Sequence, residues 1–127
     1  MEFVKLISSI HGGYLCKNAS NIEMTILGRF LTSDVGIESS GFKKWGLTDS
    51  WGDACSGNLT ALEKDNDCIL LTDLYSEEET PTELKMTQKQ FVQILTDWED
   101  KVCKSKTKPK EVTITYDNDQ FIMKTKD

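Results

Sequence analysis

Between residues 87 and 103 the apolar positions Phe91, Ile94, Leu95, Trp98 and Val102 recur at i, i+3, i+4, i+7 and i+11, with polar residues filling the rest. That spacing predicts an amphipathic helix with one stripe turned to a core. Thr87 followed by Gln90 makes a capping box at its start, and Met86 just ahead of the cap can pack on Phe91 as a hydrophobic staple. The lysine-rich stretch KVCKSKTKPK suits the negative C-terminal end of the helix, and Pro109 forbids its continuation.

Elsewhere the period is two. In EVTITY the residues Val112, Ile114 and Tyr116 alternate with Glu111, Thr113 and Thr115, the turn formers Asp117, Asn118 and Asp119 follow, and QFIMKTK returns, which predicts a C-terminal hairpin. A second hairpin is written in NLTALEKDNDCILLTDLY, with Leu59 and Leu62 before the turn-like KDND and Cys68 to Leu71 after it. Phe3, Val4, Leu6 and Ile7 predict a first strand ending in a turn at Gly12 and Gly13. Over residues 22–32 two patterns compete: Ile22, Met24 and Ile26 alternate as in a strand, while Ser20 and Glu23 could cap a helix bearing Ile26, Leu27, Phe30 and Leu31. Gly28, Thr25 and Thr32 weigh against the helix, so a strand is expected. The glycine-rich stretch from residue 39 to 57, which carries Trp45 and Trp51, reads as a short helix near 39–47 around FKKW and then an irregular loop. The expectation is an α+β fold, with residues 1–127 as a single domain. It has one antiparallel sheet of about five to six strands, covered on one face by helix 87–103.

Composition narrows the function classes. A chain of 127 residues, 38% of them hydrophobic, can bury a core without disulfide or metal staples. Its net charge of −6 disfavours nucleic acid and anionic membrane surfaces as partners. MEFVKLISSI has no signal-like apolar run and no segment is long enough to span a membrane, so the cytoplasm is the expected compartment. Cys16, Cys55, Cys68 and Cys103 are then expected as reduced thiols, and without a CxxC pair or a second histidine beside His11 they form no zinc set. DNDC and DNDQ lack the glycine and the distant glutamate of a calcium loop, and Gly12–Gly13 is followed by no GK[ST], so no metal and no cofactor are expected. The pairing of His11 with Cys16 is the one enzymatic candidate, and HGG has no accompanying GxSxG.

The placement of charge is more informative than its sum. Between residues 63 and 83 eight acids face Lys64 alone, a local charge of −7, whereas residues 101–127 carry seven lysines against four acids. One reading is a solvated connection favouring the next helix N-terminus. The sharper reading is a contact surface that steers a basic partner. Its candidate residues are Asp65, Asp67, Asp73, Glu77, Glu78, Glu79 and Glu83, with Tyr75 as aromatic anchor and Trp51 as a second candidate whose alternative is core packing.

The stretch from CILLTDLYSEEETPTELKM through FVQILTDWED and KSKTKPK to EVTITYDNDQF, within residues 57–124, resembles small immunity proteins of bacterial toxin and immunity pairs. These include the immunity proteins of contact-dependent growth inhibition and related polymorphic toxin systems. FLTSDVG and the tryptophan-bearing segment after it are more weakly similar. The resemblance implies a non-enzymatic, cytoplasmic inhibitor that occludes a cognate toxin domain. Many such toxins are nucleases, which hold polyanions with basic side chains and would attract an acidic inhibitor. It carries over no residue roles. The alternatives are a small enzyme centred on His11 and Cys16 and an acidic adaptor using the lysine-rich tail KSKTKPK.

Overall fold

The computed structural model describes residues 1–38, 41–49 and 51–127. In chain order the elements are β1 (Glu2–Ser8), β2 (Tyr14–Ala19), α1 (Ile22–Arg29), α2 (Phe42–Leu47), β3 (Ala54–Ser56), β4 (Thr60–Asp65), β5 (Cys68–Asp73), β6 (Glu83–Thr87), α3 (Gln88–Trp98), β7 (Glu111–Asp117) and β8 (Gln120–Lys126). Helices α1 and α3 each run on into a π-helical segment, Phe30–Val35 and Glu99–Cys103 respectively.

Two short turns set the register of the β4–β5 and β7–β8 hairpins. Asn66 and Asp67 have φ of 47° and 69°, and Asn118 and Asp119 have φ of 50° and 60°. Positive φ at both central residues is the type I′ turn, whose twist matches the strands it joins. Among the described residues the strands make two antiparallel sheets, ordered β2-β1-β7-β8 and β3-β4-β5-β6. The first contributes Val4, Leu6, Val112, Ile114 and Met123 to the interior, the second Leu62, Ile69, Leu71, Leu84 and Met86. Both α1 and α3 touch strands of both sheets, so Leu27, Phe30, Leu31, Phe91, Leu95 and Trp98 join the two inner faces in one contiguous core.

The α+β class is as the pattern indicates, but the sheet arrangement is not the expected single sheet of five or six strands. The strands that separate the two sheets are the least legible ones: β3 is only three residues long, and β6 runs into the cap of α3 without a loop. The helix expected over 87–103 is present, with Thr87 Oγ1 accepting the Gln90 N–H at 3.0 Å and Gln90 Oε1 accepting the Thr87 N–H at 2.9 Å. Beyond Trp98 it widens into π turns, the Lys104 N–H reaching the Glu99 carbonyl at 2.8 Å.

Residues 22–32 are helical, which corrects the expectation of a strand. Asn21, not Ser20, caps the helix, its Oδ1 accepting the Met24 N–H at 2.9 Å. Ser20 is held instead by β1, its Oγ accepting the Phe3 N–H at 2.8 Å. The apparent alternation is broken at Ile22, which is exposed, and the buried set is Met24, Ile26, Leu27, Phe30 and Leu31. Gly28 belongs there because a Cβ would stand 2.7 Å from Val4 Cγ2 and 3.2 Å from Cys16 Sγ, so its absence lets the helix lie close on the sheet. The short helix near 39–47 is α2, beginning at Phe42. Residues 39 and 40 lie outside the described residues, and the loop expected to follow contains β3.

Candidate interaction surface

The eight acids of the 63–83 stretch do not form one patch. Asp65 ends β4 and Asp67 lies within the β4–β5 turn, whereas Glu77, Glu78 and Glu79 lie in the connection leaving the other end of β5. The six residues of β5 put the two groups roughly 20 Å apart at about 3.3 Å per residue. Glu63 and Glu83 face outward from β4 and β6, Glu83 opposite Thr72 and so towards the loop end. Asp73 is structural: its Oδ2 meets Arg29 Nη1 of α1 at 3.1 Å and its Oδ1 accepts the Tyr75 N–H at 2.9 Å. That turn fixes how the loop leaves the sheet. It leaves Tyr75 69% and Leu74 42% exposed beside the three glutamates, with Ile22 of α1 also exposed. Ile22, Arg29, Asp73, Ser76 and Glu78 share a shallow cavity of about 170 Å³, so the loop is seated on α1.

Lys64, the single cation of this stretch, does not offset the surface charge because it is buried at 1% exposure. On β4 it occupies an inward position in register with Ile69, where the period of two calls for an apolar residue. Its Nζ donates to the Trp45 carbonyl at 2.5 Å, the Thr48 carbonyl at 3.0 Å and Thr48 Oγ1 at 2.6 Å, and stands 4.5 Å from the centre of the Trp45 ring. The ammonium thus caps the C-terminus of α2, where carbonyls lack helical partners and the dipole favours a cation. Trp51 lies over the same ammonium at 6.0 Å and is 36% exposed, so it is half wall of this site and half surface. The sequence signal for this lysine is its parity in the strand, which counting charge overlooks.

Two lysines at the end of α3 and in the tail are engaged on backbone carbonyls. Lys108 Nζ donates to the carbonyls of Val102, Cys103 and Ser105 at 2.8, 2.6 and 3.0 Å, closing the π-helical end, and Lys101 Nζ reaches the Met123 carbonyl at 2.8 Å. His11 and Cys16 are not brought together: His11 is exposed in the β1–β2 turn, while the Cys16 thiol lies over Gly28 on the inner side of β2. Burial raises the pKa of Cys16, with Arg29 opposing weakly, and burial likewise raises those of Cys55 and Cys103. This is the opposite of the shift that activates a nucleophilic thiol. Among the described residues no three His, Cys, Asp or Glu side chains gather as metal ligands, and no helix is long and apolar enough to cross a membrane.

Comparison with known proteins leaves the surface to be read on its own terms: the chain matches no protein-family model, no curated protein and no solved structure.

Proposed function

We propose that this protein is an inhibitor of the immunity type, acting in the cytoplasm. In this reading it binds a basic toxin domain, with a nuclease as the expected class, and occludes its substrate cleft without performing chemistry itself. The observation that carries the reading is the pairing of Leu74 and Tyr75, both exposed, with Glu77, Glu78 and Glu79 on a loop anchored through Asp73 to Arg29. An aromatic side chain with a polar tip, ringed by charge and held on a fixed turn, is what a contact centre with a steering rim requires. Asp65 and Asp67, at the far end of β5, add long-range attraction outside that centre, and Asp73 contributes by positioning.

The test is association with the toxin domain encoded by the adjoining gene, followed by stopped flow from about 50 to 500 mM salt, a range over which the Debye length shortens from well over 10 Å to a few Å. Reversal of Glu77, Glu78 and Glu79 to lysine is expected to slow association about tenfold at low salt and to flatten its salt dependence. Tyr75→Ala is expected to act on dissociation. Association rates that are the same for both chains across the whole salt range refute the electrostatic reading, and failure to bind the neighbouring domain at all refutes the inhibitor reading.

A further inference from the structure

The acidic loop and α1 enclose a small cavity that the contact centre of Leu74 and Tyr75 leaves unused. Its helical wall is Ile22, Thr25, Ile26 and Arg29, which recur at i, i+3, i+4 and i+7 and so form one stripe about 10 Å long at about 1.5 Å per residue. The facing wall is Asp73 at the end of β5, with Ser76 and Glu78 of the loop. Hydrogen bonds within that wall fix its shape. The Leu74 N–H donates to the Leu59 carbonyl at 2.9 Å, the Ser76 N–H to the Asp73 carbonyl at 3.2 Å, and the Glu78 N–H to Ser76 Oγ at 3.3 Å. A cavity whose walls are set before the partner arrives loses little freedom on binding.

The charges around this cavity are not equivalent. Arg29 Nη1 stands 3.1 Å from Asp73 Oδ2, so those two answer each other, whereas Glu78 takes part in no ion pair among the described residues. The exposed Glu77, Glu79 and Glu83 at the same end of the sheet are also without ion pairs among the described residues, and they add to the negative field there. We propose that the cavity is a slot for one lysine side chain of the basic partner, its methylene stem lying along Ile22 and Ile26 and its ammonium meeting Glu78. The assignment rests on the inhibitor reading and adds to it the side chain that the loop recognises. A volume of about 170 Å³ suits a single side chain, since pockets for drug-sized ligands begin at roughly 300 Å³. Lysine fits better than arginine. With Asp73 taken by Arg29, one carboxylate is left, which matches a point charge on a flexible stem and not a planar fork that seeks two acceptors. Lysine stems cover apolar surface while the charged head stays in water, and Ile22, exposed at the first position of α1, offers that surface at the rim.

The test uses the full chain and two synthetic peptides, acetyl-Gly-Lys-Gly-amide and its counterpart with norleucine, which keeps the stem and lacks the ammonium. Binding is read from the isoleucine methyl resonances at low salt. The lysine peptide at millimolar concentration is expected to shift the methyls of Ile22 and Ile26, and the norleucine peptide to bind severalfold more weakly, as an exposed ion pair allows. Glu78→Gln should remove the preference for lysine over norleucine, while Glu77→Gln, which neutralises a neighbouring acid outside the cavity, should keep it. Methyls of Ile22 and Ile26 that do not move, equal binding of the two peptides, or a preference lost equally in both variants overturns the proposal. No toxin domain takes part, so failure here removes the lysine slot and leaves the inhibitor reading to its own binding test, whereas failure of that test does not alter the peptide result.

Discussion

Gly28 stands where α1 passes closest to the first sheet, and its role is the reverse of what helix propensity suggests. Replacing a mid-helix glycine by alanine ordinarily gains about 1 kcal/mol. Here the added methyl would meet Val4 Cγ2 at 2.7 Å and Leu6 Cδ2 at 3.2 Å, in a part of the core where both partners are fully buried. Overpacking of this kind costs about 1–3 kcal/mol. Gly28→Ala is therefore expected to lower the urea midpoint, and a raised midpoint would show that the helix can move off the sheet. Tyr14 supplies a second prediction at this scale. Its ring packs edge-on to Trp98 at 5.6 Å and its hydroxyl donates to the Pro109 carbonyl at 2.5 Å, tying β2 to the segment that enters β7. Burial, with a smaller contribution from Cys103, raises its pKa above 10.0. A raised phenol favours the folded state fully below the unfolded value, and that share is lost as pH rises through the folded one. Stability should thus decline above about pH 10. Tyr14→Phe should be less stable at pH 8 by about 0.5–1.5 kcal/mol and show a shallower alkaline decline, measured by urea melts from pH 8 to 11.

At the scale of elements, what was legible in the sequence is what local rules decide. The capping box at Thr87 and Gln90, the stripe from Phe91 to Val102 and both Asn-Asp turns are local signals, and the structure contains them all. The helix at 22–29 runs against local preference: of Gly28, Thr25 and Thr32, which all disfavour it, the glycine answers a tertiary requirement visible only once β1 is beside it. The ends of α1 and α3 meet through a contact distant in sequence: Trp98 Nε1 donates to the Gly36 carbonyl at 2.8 Å, just past the π segment that extends α1. The candidate surface was legible as a count of acids but not as a shape, since a hairpin puts its turn and its outgoing loop at opposite ends. Lys64 shows the same limit. It reads as one charge in an acidic run, yet its contacts dock α2 on β4. Lys64→Met keeps the stem and removes the ammonium from buried carbonyls, so a loss of about 1–3 kcal/mol is expected, with Trp45 and Trp51 more accessible to a fluorescence quencher. An unchanged urea midpoint and unchanged quenching would show that α2 is held without the ammonium.

Over the whole molecule, charge is segregated by sheet. The outer face of the first sheet carries Lys5, Lys124 and Lys126 against Asp117 and Glu111, the latter paired with Lys5 at 3.2 Å, while the second sheet and its loop carry Glu63, Asp65, Glu77, Glu78, Glu79 and Glu83 against the exposed Lys85. A molecule so polarised turns its acidic side toward a positive partner before contact, which is how a net charge of −6 becomes an orientation rather than a uniform attraction. The roughly 20 Å between the turn acids and the loop acids exceeds the Debye length of about 8 Å at physiological salt. The two groups should therefore act independently, and distant sites contribute additively. On the proposed inhibitor reading, reversal of Asp65 and Asp67 to lysine is expected to slow association with a basic toxin domain and leave dissociation unchanged. Reversal of Glu77, Glu78 and Glu79 should do both, because those side chains border Tyr75. Combining the two sets should multiply the association rates within about twofold of the product. If instead the Asp65 and Asp67 reversal raises the dissociation rate more than the glutamate reversal does, the contact centre lies at the β4–β5 turn beside Trp51, and the loop is the steering element.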